Sequence, residues 1–143
     1  MIASKKRQVA DMLREQVILV VDDTTINRMG TAMSVRTLGY SVEEVASGAA
    51  ALDKLKSCSC AAILMDLHMP DMDGLECAAK IRAREMGLDS RIPIIAFSST
   101  PESDVKQSCL DAGMDAFLDK ACSTEQLGQT LNLLLTQVPK PVR

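Results

Sequence analysis

Three short apolar runs stand out along the chain, at residues 17–21, 61–65 and 92–97. Side chains along a strand point alternately to its two faces, so a run without polar alternation buries both faces. Such runs are typical of parallel strands that helices cover on both sides. Weaker strand candidates are residues 41–46 and 116–118.

The segments between these runs carry helical patterns, most of which begin at a capping residue and end near a glycine. The starts are Thr24 or Thr25, Ser47, Thr100 as a cap before Pro101, and Ser123, and the stops are Gly39, Gly87 and Gly113. Ile26, Met29 and Met33 are the apolar positions of the first helix, and Gln126 completes a capping box with Ser123. Five alternating strand–helix units predict a parallel sheet with right-handed crossovers.

The two ends of the chain lie outside this alternating pattern. Residues 1–15 predict a short, weakly amphipathic helix that has Val9, Met12 and Leu13 on one side. Residues 137–143 predict an extended, flexible tail. We therefore expect one domain at residues 16–136, preceded by a helical extension.

Composition narrows the class of protein. The length of 143 residues suits one domain, and a hydrophobic fraction of 47% suits a globular chain. No apolar run approaches the roughly 20 residues of a membrane span, and the first residues lack the apolar core of a secretory signal. The net charge of −3 and the aromatic content of 2% argue against nucleic acid as a partner.

The chain contains five cysteines, Cys58, Cys60, Cys77, Cys109 and Cys122. An odd number of cysteines without a secretory signal predicts free thiols in a reducing compartment, and hence a cytoplasmic protein. Cys58 and Cys60 are separated by one residue, which is too short a spacing to predict a zinc site. We expect these thiols to behave as small core hydrophobes.

Polar residues follow the predicted strands at their carboxyl ends. Asp22 and Asp23 follow the first strand and Asp66 follows the third. Ser98 follows the fourth strand, and Lys120 lies two residues after the fifth. Each residue alone has a structural interpretation as a helix cap, a turn residue or a solvated charge. Their joint placement at the edge where open α/β sheets bind ligands indicates a functional site.

The chemistry of this set favours phosphoryl transfer. Three carboxylates within a few ångströms repel each other, and a hard divalent cation such as Mg²⁺ relieves the repulsion. A carboxylate beside such a cation can attack phosphorus and form an aspartyl phosphate. The Ser98 hydroxyl and the Lys120 ammonium group are available to neutralise the phosphoryl oxygens.

Five stretches of the sequence match the motifs of one known family. They are residues 17–23, 46–52, 64–74, 93–98 and 112–120. Together they resemble the response-regulator receiver domain of two-component signalling over about residues 16–135, and the stretch around Asp66 is the most specific. The resemblance implies a flavodoxin-like, doubly wound α/β fold whose five-stranded parallel sheet has the order 2-1-3-4-5.

The resemblance also implies a role for each residue of the acidic cluster. Asp66 would accept the phosphoryl group. Asp23 would bind Mg²⁺, or Mn²⁺ in its place, directly, and Asp22 would bind it mostly through water. The backbone carbonyl of His68 would complete the protein ligands.

A conformational switch follows from the same resemblance. Ser98 would move to bind the phosphoryl group, Lys120 would pair with it, and Phe117 would swing inward as the switch aromatic. The face built from the fourth helix, the fifth strand and the fifth helix would then bind a downstream target or a second copy of the chain. The donor would be a sensor histidine kinase or a histidine phosphotransfer domain. Self-catalysed transfer and hydrolysis would make the chain a switch and not a turnover enzyme.

Three positions depart from the usual pattern of the family or vary within it. Ala121 stands where proline is usual, so a cis bond after Lys120 is not expected. Ser98 stands where threonine is commoner and keeps the hydroxyl donor. His68 lies two residues after Asp66, at a position thought to tune the lifetime of the phosphoryl group, and its ring could alternatively take part directly.

Two other functions stay open from the sequence. A degenerate receiver would act only as a protein-binding module and would not bind Mg²⁺. A small-molecule phosphatase would need a lid or a substrate pocket, and no insertion in the chain is long enough to supply one. A stand-alone receiver and a receiver from a hybrid sensor kinase fit the sequence equally well.

Overall fold

The computed structural model describes residue 8 and residues 11–136. The five strands are β1 (Val17–Val21), β2 (Ser41–Val45), β3 (Ala62–Met65), β4 (Ile94–Ser98) and β5 (Ala116–Asp119). The five helices are α1 (Thr25–Thr37), α2 (Gly48–Ser57), α3 (Gly74–Glu85), α4 (Glu102–Asp111) and α5 (Thr124–Thr136). Strands and helices alternate along the chain, as the apolar runs predict.

All strand pairs of the sheet are parallel, and the strand order is β2-β1-β3-β4-β5. The central strands β3 and β4 are buried along their whole length, as the unalternating runs require. The sheet order and the flavodoxin-like fold are therefore confirmed.

The side chains of the sheet divide between two hydrophobic clusters, one on each face. In β1, Leu19 and Val21 belong to the first cluster, whereas Ile18 and Val20 belong to the second. This alternation follows from the opposite directions of successive side chains in a strand. Helices α2 and α3 cover the first cluster, and Leu131 of α5 lies in the second. The molecule is a three-layer sandwich with the sheet in the middle.

An arginine joins β4 and β5 at the amino-terminal edge of the sheet. Arg82 donates to the carboxylate of Asp115 at 2.8 Å, to the carbonyl oxygen of Gly113 at 2.9 Å and to that of Ile92 at 2.8 Å. It also forms an ion pair with Glu85 at 2.6 Å. The arginine side chain is largely buried, so these bonds satisfy its donors where water is scarce.

The helix caps agree with the sequence patterns at two positions. The Ser47 hydroxyl accepts from the amide of Ala50 at 3.1 Å. Ser123 accepts from the Gln126 amide and donates its own amide to the Gln126 side chain, both at 3.1 Å, which is the reciprocal capping box.

The predicted cap at Thr100 is wrong. Helix α4 begins at Glu102, and Pro101 occupies the N-cap position without a side-chain bond. The Thr100 hydroxyl is instead hydrogen-bonded to the ring of His68. A contact with a distant loop has replaced the local cap.

The apolar positions named for the first helix do not face the core. Ile26, Met29 and Met33 are 82%, 58% and 69% exposed, whereas Ala32 and Val35 are the buried residues of α1. The helix carries two apolar stripes, and the stripe of smaller side chains packs against the sheet. The larger stripe is left on the surface.

The two ends of the chain are described only in part. Residues 11–15 are helical, and Leu13 packs against the second cluster, in line with the predicted extension. Met12, predicted on the same side, is instead exposed. Val9 and residues 137–143 lie outside the described residues, so the predicted domain boundaries stay a prediction. Within the described ranges, none of the helices combines the length and apolar character needed to cross a membrane.

Candidate functional site

Three aspartates meet at the carboxyl-terminal edge of the sheet. Val21 pairs with Met65 in the register of β1 and β3, so the residues that follow these strands come together. Asp22, Asp23 and Asp66 each offer a carboxylate oxygen, and these oxygens lie within 4.8 Å of one another. Asp22 and Asp66 are only 2% and 4% exposed, whereas Asp23 faces solvent. The sequence prediction that these residues share one site agrees with this geometry.

The ammonium group of Lys120 lies between two of these carboxylates. Its Nζ atom is 3.0 Å from Oδ2 of Asp22 and 3.3 Å from Oδ1 of Asp66. Burial by itself would lower the pKa of Lys120, but the hydrogen bond to Asp22 and the negative charges of both aspartates outweigh it and raise the pKa. Lys120 is therefore held in its charged form and offsets part of the negative charge of the cluster.

Asp66 lies in an environment that disfavours its ionised form. Burial raises the pKa of Asp66, and the charge of Asp22 adds to this rise. The Lys120 ammonium group and the amide of His68, which lies 3.3 Å from Oδ1 of Asp66, act in the opposite direction. The ionised form of Asp66 therefore gains from any further positive charge placed beside it.

A chain of hydrogen bonds joins the two loops beside Asp66. Ser98 is 1% exposed, and its hydroxyl oxygen accepts from the amide of Thr100 at 3.1 Å. The Thr100 hydroxyl in turn lies 2.6 Å from Nε2 of His68, whose backbone amide faces Asp66. Thr100 thus holds the predicted switch hydroxyl through its backbone and the histidine ring through its side chain.

The remaining predicted residues lie next to this cleft. Phe117 is half-buried and packs against the first hydrophobic cluster. Residues 11–136 contain no cis peptide, so Lys120 and Ala121 are joined by a trans bond. The Ala121 amide donates to the Asp119 carboxylate at 2.7 Å, a bond that a proline at this position cannot make.

Gly74 supports the site, although the sequence analysis gave it no role beyond membership of a motif. Its amide donates to the carbonyl oxygen of Leu67 at 3.0 Å. A Cβ atom at this position would collide with the carbonyl oxygen of Asp66 and would lie 2.9 Å from Cα of Leu67. The only signal in the sequence was the glycine itself, at a point where α3 must start against the loop that carries Asp66.

Arg28 is a second supporting residue that the sequence did not reveal. Its Nη1 donates to the backbone carbonyl oxygen of Asp22 at 2.9 Å, and its Nε lies 3.6 Å from the carboxylate of Glu44. The guanidinium group therefore ties the start of α1 to the backbone after β1 and to β2. Nothing in the sequence separates Arg28 from the other basic residues of α1.

A family comparison agrees with this geometry. The model of the response regulator receiver domain family matches residues 18–132. The chain belongs to the response regulator receiver family. Receiver domains are phosphoacceptor switches of two-component signalling. A cluster of carboxylates at the edge of the sheet is consistent with membership of this class.

The curated relatives are much longer proteins. The sensor histidine kinase RcsC of Escherichia coli K12 is 36% identical over 126 residues, which cover 88% of this chain and 13% of that kinase. The hybrid signal transduction histidine kinase L of Dictyostelium discoideum is 37% identical over 118 residues, which cover 80% of this chain and 7% of that protein. The receiver thus spans a small part of the length of these relatives.

Solved receiver domains share the fold. The receiver domain of the sensor histidine kinase PA1611 from Pseudomonas aeruginosa, which has a magnesium ion coordinated in its active site cleft, is 34% identical with a TM-score of 0.77, covering 85% of this chain and 98% of that one. The receiver domain of the histidine kinase CKI1 from Arabidopsis thaliana, complexed with Mg²⁺ and BeF₃⁻, is 34% identical with a TM-score of 0.76, covering 90% and 95%. The family predicted from the sequence is confirmed.

The close approach at Gly74 generates a prediction. Gly74→Ala should lower the free energy of unfolding by about 1–3 kcal/mol, because the new methyl group overpacks the backbone at Asp66. Urea unfolding followed by circular dichroism measures this change.

Gly30→Ala is the matched control, since a Cβ atom there meets nothing within 4 Å and Gly30 lies inside α1. Alanine at position 30 should raise the free energy of unfolding by about 0.5–1 kcal/mol through helix propensity. Equal effects of the two substitutions would contradict the proposed close approach.

Proposed function

We propose that this receiver accepts a phosphoryl group from a phosphohistidine donor onto Asp66 in a reaction that requires Mg²⁺, and that phosphorylation changes its partner-binding face. The observation that carries the proposal is the position of Lys120, whose ammonium group reaches both Asp22 and Asp66. A fixed positive charge between two buried carboxylates is suited to stabilise the negative charge that a phosphoryl group brings.

In the transfer step, a carboxylate oxygen of Asp66 attacks the phosphorus atom of the phosphohistidine. The oxygen–phosphorus bond forms as the bond between phosphorus and the imidazole nitrogen breaks, and the imidazole keeps the electron pair. Lys120 and the Ser98 hydroxyl donate to the phosphoryl oxygens. In the later hydrolysis, a water oxygen attacks the same phosphorus atom, Asp66 regains its carboxylate and inorganic phosphate leaves.

The acidic cluster has the donor chemistry for a small, hard cation. Carboxylates of Asp22, Asp23 and Asp66 would hold Mg²⁺, together with the backbone carbonyl of His68, and Mn²⁺ suits the same oxygen ligands. The bound ion supplies positive charge to the phosphoryl oxygens and to the crowded carboxylates. The exposure of Asp23 leaves a path by which a hydrated ion reaches the cluster.

The exposed stripe of α1, formed by Ile26, Met29 and Met33, is the docking surface that we propose for the donor. Ile26 and Lys120 line the same depression, so the stripe continues directly from the cleft. A phosphohistidine partner must place its imidazole ring at Asp66, and its contact surface must then extend onto a neighbouring element. Flexible methionines on an apolar patch suit packing against a helix of a histidine kinase or a phosphotransfer domain.

The switch in this proposal is an exchange of hydrogen-bond partners. Ser98 leaves the amide of Thr100 for a phosphoryl oxygen, and Phe117 moves inward into the space that Ser98 vacates. Phe117 lines a shallow groove with Glu102 and Gln126 on the face formed by α4, β5 and α5. Its movement alters this groove, which we propose as the surface for a downstream target or a second copy of the chain.

We propose that the protein acts in the cytoplasm. All five cysteines are free thiols, as a reducing compartment maintains them. The donor is either the kinase to which such a receiver is attached or a separate phosphotransfer protein.

The first prediction concerns the phosphoacceptor. With acetyl phosphate and Mg²⁺, the wild type should gain the mass of one phosphoryl group per chain, and Asp66→Asn should gain none. Intact-protein mass spectrometry measures the adduct. Asp71→Asn is the matched control, because Asp71 has a positive φ of 68° that asparagine tolerates. Steady turnover of unrelated phosphate esters would instead favour a phosphatase.

The second prediction concerns the cation. Asp23→Asn should weaken Mg²⁺ binding about tenfold or more, equivalent to roughly 1.4 kcal/mol, because it removes one charged ligand. Isothermal titration calorimetry measures the affinity. Asp53→Asn, on the exposed side of α2, should leave the affinity unchanged. A wild type that binds no Mg²⁺ would favour the degenerate protein-binding module.

The third prediction concerns the bridge between His68 and Thr100. Thr100→Val removes the hydroxyl but keeps the amide that holds Ser98. The bridge is worth about 0.5–1.5 kcal/mol, so its loss should open the loops beside Asp66 and speed phosphoryl hydrolysis roughly 2- to 10-fold. The decay of the phosphorylated mass measures this rate.

His68→Ala should speed the decay to the same extent as Thr100→Val, and the double variant should add nothing, because both remove one bond. Ser99→Ala is the control, since Ser99 is exposed. Additive effects in the double variant would show that the two side chains act separately.

A further inference from the structure

Two cysteine side chains lie against each other in the connection between α2 and β3. The sulfur atoms of Cys58 and Cys60 are 3.3 Å apart. Cys58 has extended backbone angles of φ −122° and ψ 128°, and in an extended chain side chains two residues apart point to the same side. The spacing that argued against a zinc site therefore places the two thiols in direct contact.

The surroundings of the pair differ from those of the two fully buried cysteines. Cys58 and Cys60 are half-buried with the exposed Ser59 between them, whereas Cys77 and Cys109 are buried in the first cluster. The prediction that the cysteines act as core hydrophobes thus holds for Cys77 and Cys109, whereas Cys60 and Cys122 are only half-buried and pack against the first and second clusters. Cys58 and Cys60 form a dithiol that small reagents in solvent can reach.

The pair lacks the further ligands that would make it a metal site. Among the described residues, the one group of three potential ligands close enough to hold an ion is the aspartate cluster. The charges of Glu43 and Lys54 act on Cys60 with opposite effects, and these two side chains pair with each other at 3.3 Å. A chemistry that needs only two neighbouring sulfur atoms fits the arrangement better than cation binding.

We propose that Cys58 and Cys60 are a thiol modification site, which closes reversibly to a disulfide when hydrogen peroxide reaches this surface. The contact distance of 3.3 Å is longer than the S–S bond of about 2.0 Å. Both residues lie outside helices and strands, apart from the role of Cys58 as the C-cap of α2. The connection can therefore contract without breaking the sheet.

The order of events follows from the environment of each sulfur. Burial, and the hydrogen bond that Cys60 donates to Cys58, raise the pKa of Cys60 to about 12, so Cys60 stays protonated at neutral pH. Because Cys60 donates its proton in a hydrogen bond to the Cys58 sulfur, Cys58 is the first to react: its sulfur attacks one peroxide oxygen, the O–O bond breaks, and a sulfenic acid and water form as the thiol proton passes to the leaving oxygen.

The second step closes the bridge. The Cys60 sulfur loses its proton and attacks the Cys58 sulfur, and the sulfenic hydroxyl leaves as water. In sum, two thiols and one hydrogen peroxide give one disulfide and two waters, so the sulfur pair loses two electrons and the peroxide gains them. A ring with one intervening residue strains the disulfide, and strained disulfides are easily reduced by thiols.

The site lies away from the aspartate cluster. Cys60 precedes the first residue of β3, and Asp66 follows its last residue, so the two lie at opposite edges of the sheet. Oxidation of the pair and phosphorylation of Asp66 are therefore separable, and the test does not depend on the proposed function.

The test treats the reduced protein with a small excess of hydrogen peroxide. The wild type should lose the mass of two hydrogen atoms and two of its five titratable thiols, and dithiothreitol should restore both. Phenylarsine oxide, which bridges neighbouring thiols, should bind one equivalent to the reduced protein and none to the oxidised one. Fragmentation in the mass spectrometer should place the bond between residues 58 and 60.

Cys58→Ser and Cys60→Ser should each abolish the mass loss and the arsenical adduct, while Cys122→Ser should leave both intact. Circular dichroism confirms that each variant is folded, and Cys60→Ala replaces Cys60→Ser if the serine variant is not. A wild type that gains oxygen atoms without losing hydrogen would overturn the proposal. So would a disulfide that persists in Cys60→Ser or Cys60→Ala.

Discussion

The structure depends on one electrostatic constraint, which is the crowding of negative charge at the carboxyl-terminal edge of the sheet. Asp22 and Asp66 are almost completely buried there, and an unpaired buried carboxylate is costly. Lys120 reduces the cost by contacting both at 3.0 and 3.3 Å. Because Lys120 follows β5 and the aspartates follow β1 and β3, the strand order and the charge balance support each other.

The sequence predicted the strands, and the proximity of the three aspartates to Lys120, because both depend on simple geometric rules. Unalternating apolar runs indicate buried parallel strands, and parallel strands end at a common edge. Residues 22, 23, 66, 98 and 120 could therefore be brought together before any coordinates were known. The family motifs added the roles but were not needed to find the cluster.

Contacts between distant loops were beyond the reach of sequence reasoning. The bond between His68 and Thr100 joins residues 32 positions apart, and Thr100 instead looked like a local helix cap. Helix α1 showed a different limit, since periodicity finds an apolar stripe without saying which of two stripes faces the sheet. The stripe with Ala32 and Val35 faces the sheet because these small side chains let the helix approach the sheet closely. Met29 and Met33 are therefore left on the surface.

The contacts of Arg82 make the two ends of β4 and β5 differ in how firmly their side chains are held. Arg82 and Asp115 fix β4 and β5 where these strands begin, through several short polar contacts. Where the same strands end, the Lys120 amide donates to the carbonyl oxygen of Ser98 at 3.0 Å, and the Ser98 hydroxyl accepts one hydrogen bond, from the amide of Thr100. Charged contacts thus fix the beginnings of β4 and β5, so that in the proposed switch the Ser98 hydroxyl can give up one neutral hydrogen bond while the strands themselves stay in register.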